Sequence, residues 1–474
     1  MILHKDIVIE GRIGFSMISS LRIEESLNNH AIAYISGVLH EHVTVEEVYQ
    51  LNFDSNFRIK AIVNSTSGTE EGMEEKVIFA GVPVDLTLKN MSGVKHLALT
   101  LKSHSIKLDT KRVNRSFQDI NNPYKAVFKQ IVELDYQGAL VDTVSKGKTQ
   151  GRLIIQYEET DWQLLKRLAS QLNAVILPHM EANIPQIGIG TLDGLKYIEN
   201  PPQFEIKKEV GAFIESARNF SDWKELDFVS SGIESYGIYK LCDIVLCNDV
   251  KYLVAGKISE LQQGVLINSY RLQPPDSFRQ NILYNEKLTG VSVEGKVIAV
   301  ERDKVKLHLL MDSQQDINGA YWCNYDTPYT AEKSTGAYIM PENGEIVHLY
   351  FPNRDETQAY IRPAIRKDGK LNPKTLDPHT KYFGTANGKE IKMSPNSLSI
   401  SAIQGKVHMT MTDSGGISFV SRRDLFVKGS NINIRAESVS LHGGDSLVLQ
   451  SSAASLVMES EVDMDGIGIV NFLI

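Results

Sequence analysis

Residues 389–474 read KEIKMS, SLSISA, VHMTMT, GISFVS, DLFVKG, NINIRA, SVSLHG, SLVLQS, SLVMES and VDMDG in turn. Apolar and polar residues alternate within each piece, and Gly, Ser, Asn or Asp interrupts the runs. Strict alternation gives a strand one dry and one wet face, because successive side chains point to opposite sides. With Ile391, Leu398, Val407, Met409, Ile417, Leu425, Ile432, Ile434, Val439, Leu447, Leu456 and Val462 set inward, the pattern returns about every eight residues. Ile400, Val427 and Leu449 fall on the same side. No helical period fits, so the segment is an array of short strands.

Such strands carry two or three apolar side chains each, and the array's edges would hold unpaired N–H and C=O groups. A single-chain parallel β-helix needs coils of roughly 20 residues to enclose a core. Two solutions stand. Several chains wind together, three being the smallest closed prism, and share one core; or one chain curls into a β-meander. The first predicts a trimeric intertwined β-helix, a needle. In VHMTMT and SVSLHG the histidines, His408 and His442, fall on the outer side, which argues against an ion on the needle axis.

The rest of the 474-residue chain is long enough for further domains. A net charge of −8 argues against nucleic acid as a partner. Cys242, Cys247 and Cys323 make neither a disulfide framework nor a zinc site; with Cys242 and Cys247 five apart in one strand, they should face opposite sides as buried thiols. MILHKDIVIEGRIG lacks the apolar core of a signal peptide, which implies cytoplasmic synthesis.

Residues 1–110 are strand-rich and predict a first β-barrel. His40 and His42 in LHEHV share a strand face there, as a metal pair or a solvated one. Residues 111–178 form a helical insert: NPYKAVFKQIVELDY predicts a helix with Tyr124, Val127, Phe128, Ile131 and Leu134 inward. A second helix starts at a Thr160/Gln163 capping box and is anchored by Trp162. Residues 179–287, FEIKKEVGAFIESARNF included, return to strands and suggest a second barrel related to the first. Residues 288–368 predict five strands, with turns at Arg302-Asp303 and Pro341–Gly344, and fit an OB-fold barrel. Its aromatics, Tyr321, Trp322, Tyr325, Tyr329 and Tyr338, read as packing residues because acids outnumber bases around them. Residues 369–388 are a polar linker to the 389–474 spike.

No phosphate loop, H-E-x-x-H, G-x-S-x-G or Cys–His arrangement is present, and Glu24-Glu25 and Glu158-Glu159 read as solvated faces. Neither an enzyme nor a cofactor is expected.

Two segments carry a resemblance. QYEETDWQLLKRL resembles the Q-Y-x-E-[ST]-D-x-x-[FL]-[IL]-x-R-L segment of the hub–spike proteins of contractile injection systems. GKVIAVERDKVKLHL, followed by Trp322 and PENGEIVHLYF, resembles the OB domain of the same family. That family includes the fused hub–spikes of contractile phage tails and R-type bacteriocins, and VgrG of type VI secretion. The resemblance implies a homotrimer whose barrels, two per chain, seat a hexameric tail tube protein. It also implies baseplate wedge proteins as neighbours and a needle that meets the target cell envelope, in a phage or bacteriocin particle. The linker leaves no room for the lysozyme domain of some phage spikes, and an R-P-W-L-W-x-L-like stretch typical of VgrG is missing. Both departures favour a phage-tail or bacteriocin hub over a secretion VgrG. A trimeric adhesin or glycan binder is the alternative from another class. At the end of the chain, Ile469, Phe472, Leu473 and Ile474 form an apolar tip. Three copies of it would pack on themselves, dock a separate tip protein or touch a membrane.

Overall fold

The computed structural model describes residues 1–64, 73–218, 222–247, 250–331, 335–363, 372–403, 405–451 and 455–458. The chain is mainly β and divides into two compact units, Met1–Ile365 and Arg366–Ile474. Among the described residues no helix is long and apolar enough to cross a membrane.

A twelve-stranded sheet organises the first unit. One flank runs Ile7–Glu10, Phe57–Asn64, Met73–Met91, Val94–Ser103, Ile32–Leu39 and Phe15–Ser26. The other holds Val250–Gln262, Val265–Gln273, Val229–Ser235 and Glu205–Lys208, with Ile244–Cys247 and Lys196–Glu199 beside them. Alternation sets the faces: in Ile32–Leu39, Ala33, Ile35, Gly37 and Leu39 are buried in turn. The flanks meet where Arg22–Ser26 pairs antiparallel with Gly256–Glu260. The two strand-rich segments expected as separate closed barrels are therefore hydrogen-bonded into one sheet, and the pairing closes neither of them on itself among the described residues.

That junction corrects the reading of the paired acids. Adjacent residues of a strand point to opposite sides, so one glutamate of each pair turns inward. Glu24 meets Arg22 at the surface, whereas Glu25 is buried 3.6 Å from the equally buried Lys257 Nζ. Burial drives the Glu25 carboxyl upward in pKa, and Lys257 opposes it.

The helical insert packs on its own core. Tyr124–Lys129 is α-helical and Gln130–Asp135 continues it as a π-turn. Tyr124, Val127, Phe128 and Ile131 are buried as expected. Leu134 is 75 % exposed, because the wider π-turn shifts the inward position to Val132. Asp161–Gln171 is capped reciprocally by Thr160 and Gln163, and Trp162 anchors it in that core. Thr160 Oγ1 also donates to Asp109. Thr160→Ala should therefore lower stability by about 1–2 kcal/mol, read as the shift in urea midpoint.

Three local expectations change. Val210–Ser216, read as strand, is a short helix after the Glu205–Lys208 strand. Cys242 and Cys247 enter the same core, because Cys242 sits at φ +70° in the turn before the Ile244–Cys247 strand. Both are free and buried, as is Cys323. His40 and His42 lie past the end of their strand, exposed and stacked 5.3 Å apart.

The last part of this unit is a five-stranded sheet in the order Trp322–Asn324, Lys304–Leu309, Ser292–Glu301, Ile346–Tyr350, Tyr360–Arg362. The hairpin turns at Arg302-Asp303, with Arg302 at φ +52°, and Gly344 takes φ +95° in the second turn. A bridge between Tyr325 and Ile361 brings the two edge strands together. Tyr321 and Tyr325 pack against the core, Trp322 lies under Lys306, and Tyr338 is exposed with its hydroxyl on the Arg302 carbonyl.

Candidate functional site

In the second unit five strands form an antiparallel meander: Lys381–Gly384, Glu390–Ser394, Ser397–Ala402, Val407–Thr412 and Gly416–Val420. The first lies inside the stretch read as linker. Asp413–Gly416 folds back tightly because Gly416 takes φ +74° without a Cβ penalty. For residues 381–420 the curled meander, the second of the two solutions left open above, is thus the arrangement within one chain.

Register then fixes the faces. Phe383, Ile391, Ile400, Met409 and Phe419 stand opposite one another across the five strands. Met393, Leu398, Met411 and Ile417 form the next row, and Ala402 faces Val407. Direct cross-strand partners share a face, and so do residues two apart. Ile391, Leu398, Val407, Met409 and Ile417 therefore come together on one face, as expected. The opposite face carries Glu390, Lys392, Ser399, Ser401, Thr410 and His408, the last held by the Gly405 carbonyl at 2.8 Å. Reasoning from sequence missed Phe383, Met393 and Phe419. The step of two from Ile391 and from Ile417 would have found the latter pair.

Among the described residues of its own unit, this apolar face is left only half covered. Ile400 is 48 % exposed, Phe419 59 % and Ile417 61 %. A trough of about 590 Å³ runs over Phe383, Ile391, Ile400, Met409 and Phe419 to Leu425. Full burial of a large apolar side chain is worth about 1.5–3 kcal/mol, so covering the face would release on the order of 10 kcal/mol per chain.

Further along, the array is not continuous. Residues 421–446 contain no strand, and Leu425, Ile432, Ile434 and Val439 stand exposed outside any ladder. Pairing resumes between Leu447–Gln450 and Ser455–Met458, in a register that sets Leu447 opposite position 458 and Leu449 opposite position 456 along the backbone. Val462 and the tip residues Ile469, Phe472, Leu473 and Ile474 lie outside the described residues.

The QYEETDWQLLKRL segment is the other place where polar groups converge, and its charges are spent internally. Arg167 is buried and donates to both Glu159 oxygens at 2.9 and 2.8 Å, to Glu356 at 2.9 Å and to the Ile155 carbonyl at 2.8 Å. Glu356 also accepts from the Ile155 amide at 2.7 Å. The pair Glu158-Glu159 thus divides as Glu24-Glu25 does, one exposed and one buried. Burial raises the Glu159 pKa, and Arg167 opposes the rise. Gln156 donates to Asp161 at 3.0 Å, Tyr136 does so at 2.9 Å, and Arg115 bridges Asp161 and Asp135. Through Glu356, in the Glu356–Gln358 turn before the Tyr360–Arg362 strand, Arg167 ties the Asp161–Gln171 helix to the five-stranded part, and the other contacts hold within the insert; they place no nucleophile beside a base. Among the described residues no three His, Cys, Asp or Glu side chains group as metal ligands.

No protein-family model matches the chain, and no curated protein matches its sequence. Solved structures do match in fold. The lidless PdpA–VgrG complex aligns with a TM-score of 0.57 at 8 % identity, over 87 % of this chain and 97 % of that one. The half-lidded complex from Francisella gives 0.55 at 9 % identity over 87 % of each chain. The Escherichia coli c3393 protein gives 0.53 at 13 % identity, over 74 % of this chain and 98 % of that one. It is described as a type VI secretion component structurally similar to the T4 bacteriophage tail proteins gp27 and gp5. The resemblance carried by the two sequence motifs is thus met in three dimensions, and the chain has the fold of the hub proteins of contractile injection systems.

Proposed function

We propose that this chain is the central hub and membrane-puncturing spike of a contractile tail baseplate, a homotrimer joining a hexameric tail tube to a needle. The observation that carries the reading is the apolar face of the 381–420 meander, which its own unit leaves open on a chain with a hub fold. Three copies turned inward would give that face a shared core, and the polar face would meet water. The two strand-rich segments of each chain supply six in a trimer, which suits a sixfold tube. The five-stranded sheet with bridged edges supports an OB collar at residues 288–368, ahead of the spike. The role is mechanical rather than catalytic, with baseplate wedge proteins around the hub and the target envelope ahead of it.

A type VI VgrG role is the second reading, favoured by the match over 87 % of the chain to the PdpA–VgrG complexes. Negative-stain microscopy of purified particles with a label on this protein tests the first. The label is expected on the tube axis at the baseplate centre. A label on peripheral fibres or along the sheath refutes the hub role, and a label recovered only with cell membranes selects the secretion reading.

A further inference from the structure

Two adjoining cavities in the first unit, of about 680 and 400 Å³, share Asn29 and His30 as walls. Together they make a cleft over the junction of the two sheet flanks and the exposed side of the Asp161–Gln171 helix. Four carboxylates line it, and each is already engaged. Glu24 meets Arg22, Glu25 meets Lys257, Asp109 meets His30 and Thr160, and Glu159 meets Arg167. Four cations lining the same cleft, Lys102, Lys166, Arg271 and Lys287, have no carboxylate within ion-pair distance among the described residues; Lys287 is held by the Glu158 carbonyl, and Lys102 and Lys166 act on Asp109 only at longer range. His30 lines both cavities, with Lys102 beside it in the larger and Lys166 in the smaller. Arg271 extends over Gly256, its Nε 3.6 Å from where a side chain there would begin. With six lining cations to four carboxylates, the concave site sets up a local field opposite in sign to the chain's net charge of −8.

We propose that this cleft receives an acidic polypeptide segment of a partner protein. Carboxylates of an extended chain would meet Lys102, Lys166 and Arg271, with Lys287 at the rim, and the amides of Asn29 and Gln163 offer an acceptor and a donor for its backbone. Nucleic acid fits less well, because a long phosphate backbone leaving the cleft would run over a chain of net charge −8, which a short acidic segment does not. The inference stands independently of the spike reading, since it uses the first unit alone.

Fluorescence anisotropy on the full-length protein, with a fluorescein-labelled octaglutamate peptide at low salt, tests it. Saturable binding is expected, weakening as salt rises. Each of Lys102→Gln, Lys166→Gln and Arg271→Gln should weaken it about threefold to fivefold, as the loss of one exposed ion pair does. The exposed Lys146→Gln should leave it unchanged. Thermal melts confirm that the variants fold; none of the three cations has an ion-pair partner to lose. An octaglutamine peptide that binds equally well, or cleft variants that bind like the parent, would overturn the proposal. So would an oligonucleotide that binds more tightly and displaces the peptide.

Discussion

The proposed trimer is expected to resist SDS and heat, and Ile400→Asp combined with Met409→Asp is expected to reduce it to a monomer. The two residues are direct partners across adjacent strands and share the apolar face. In the proposed trimer each chain would bring two carboxylates into one core, and Lys381, which shares that face on the edge strand opposite Met393, has its Nζ on the Pro378 carbonyl. Burying an unpaired carboxylate costs several kcal/mol, and repetition on three chains exceeds what the apolar contacts return. The matched control is Ser399→Asp with Thr410→Lys, a direct pair on the polar face, where opposite charges are tolerated. Light scattering after size exclusion, together with unboiled SDS gels, reads both. A parent protein that runs as a monomer refutes the shared core, as does a doubly charged variant that remains trimeric.

What could be read from the sequence divides along physical lines. Patterns set by near neighbours were legible: the one-sided alternation of residues 389–420, the Thr160/Gln163 cap, and the turns at Arg302-Asp303 and Gly344. Each depends on residues within a few positions. What depended on distant partners was not. The pairing of Arg22–Ser26 with Gly256–Glu260 joins segments far apart in the chain, and no local period announces it. The inward turn of Glu25 and Glu159 follows from Lys257 and Arg167, cations that the acids' immediate neighbours do not reveal. VGAFIES reads as strand because its apolar residues are close-set and Glu209 makes no side-chain cap. Leu134 was misplaced because a π-turn breaks the 3.6-residue period on which the assignment rested.

The same dependence on distant partners makes Arg167 the residue whose loss should matter most to the first unit. Arg167→Met removes the cation that ion-pairs with both Glu159 and Glu356, leaving two buried carboxylates, and should cost about 3–5 kcal/mol. The cost should depend on pH, and its sign can be worked out. Burial already raises the folded-state pKa of Glu159, and removing Arg167 takes away the group opposing that rise. Between the ordinary carboxylate range and the raised folded value, the folded variant binds more protons than the unfolded chain, so its stability falls as pH rises. Urea midpoints should therefore show a larger gap between parent and variant at pH 8 than at pH 5. Adding Glu159→Gln and Glu356→Gln to the variant should recover part of the loss and flatten its pH dependence, because neutral amides cost less to bury than ions. A gap below about 1 kcal/mol, or one equal at both pH values, would show that water reaches the two acids and that the brace is not buried in solution. In the proposed hub this contact must be stiff to transmit thrust, because Glu356 lies in the Glu356–Gln358 turn between two strands of the five-stranded sheet and Arg167 belongs to the helical insert. Its weakening should appear first as earlier proteolysis between those two parts, before global unfolding.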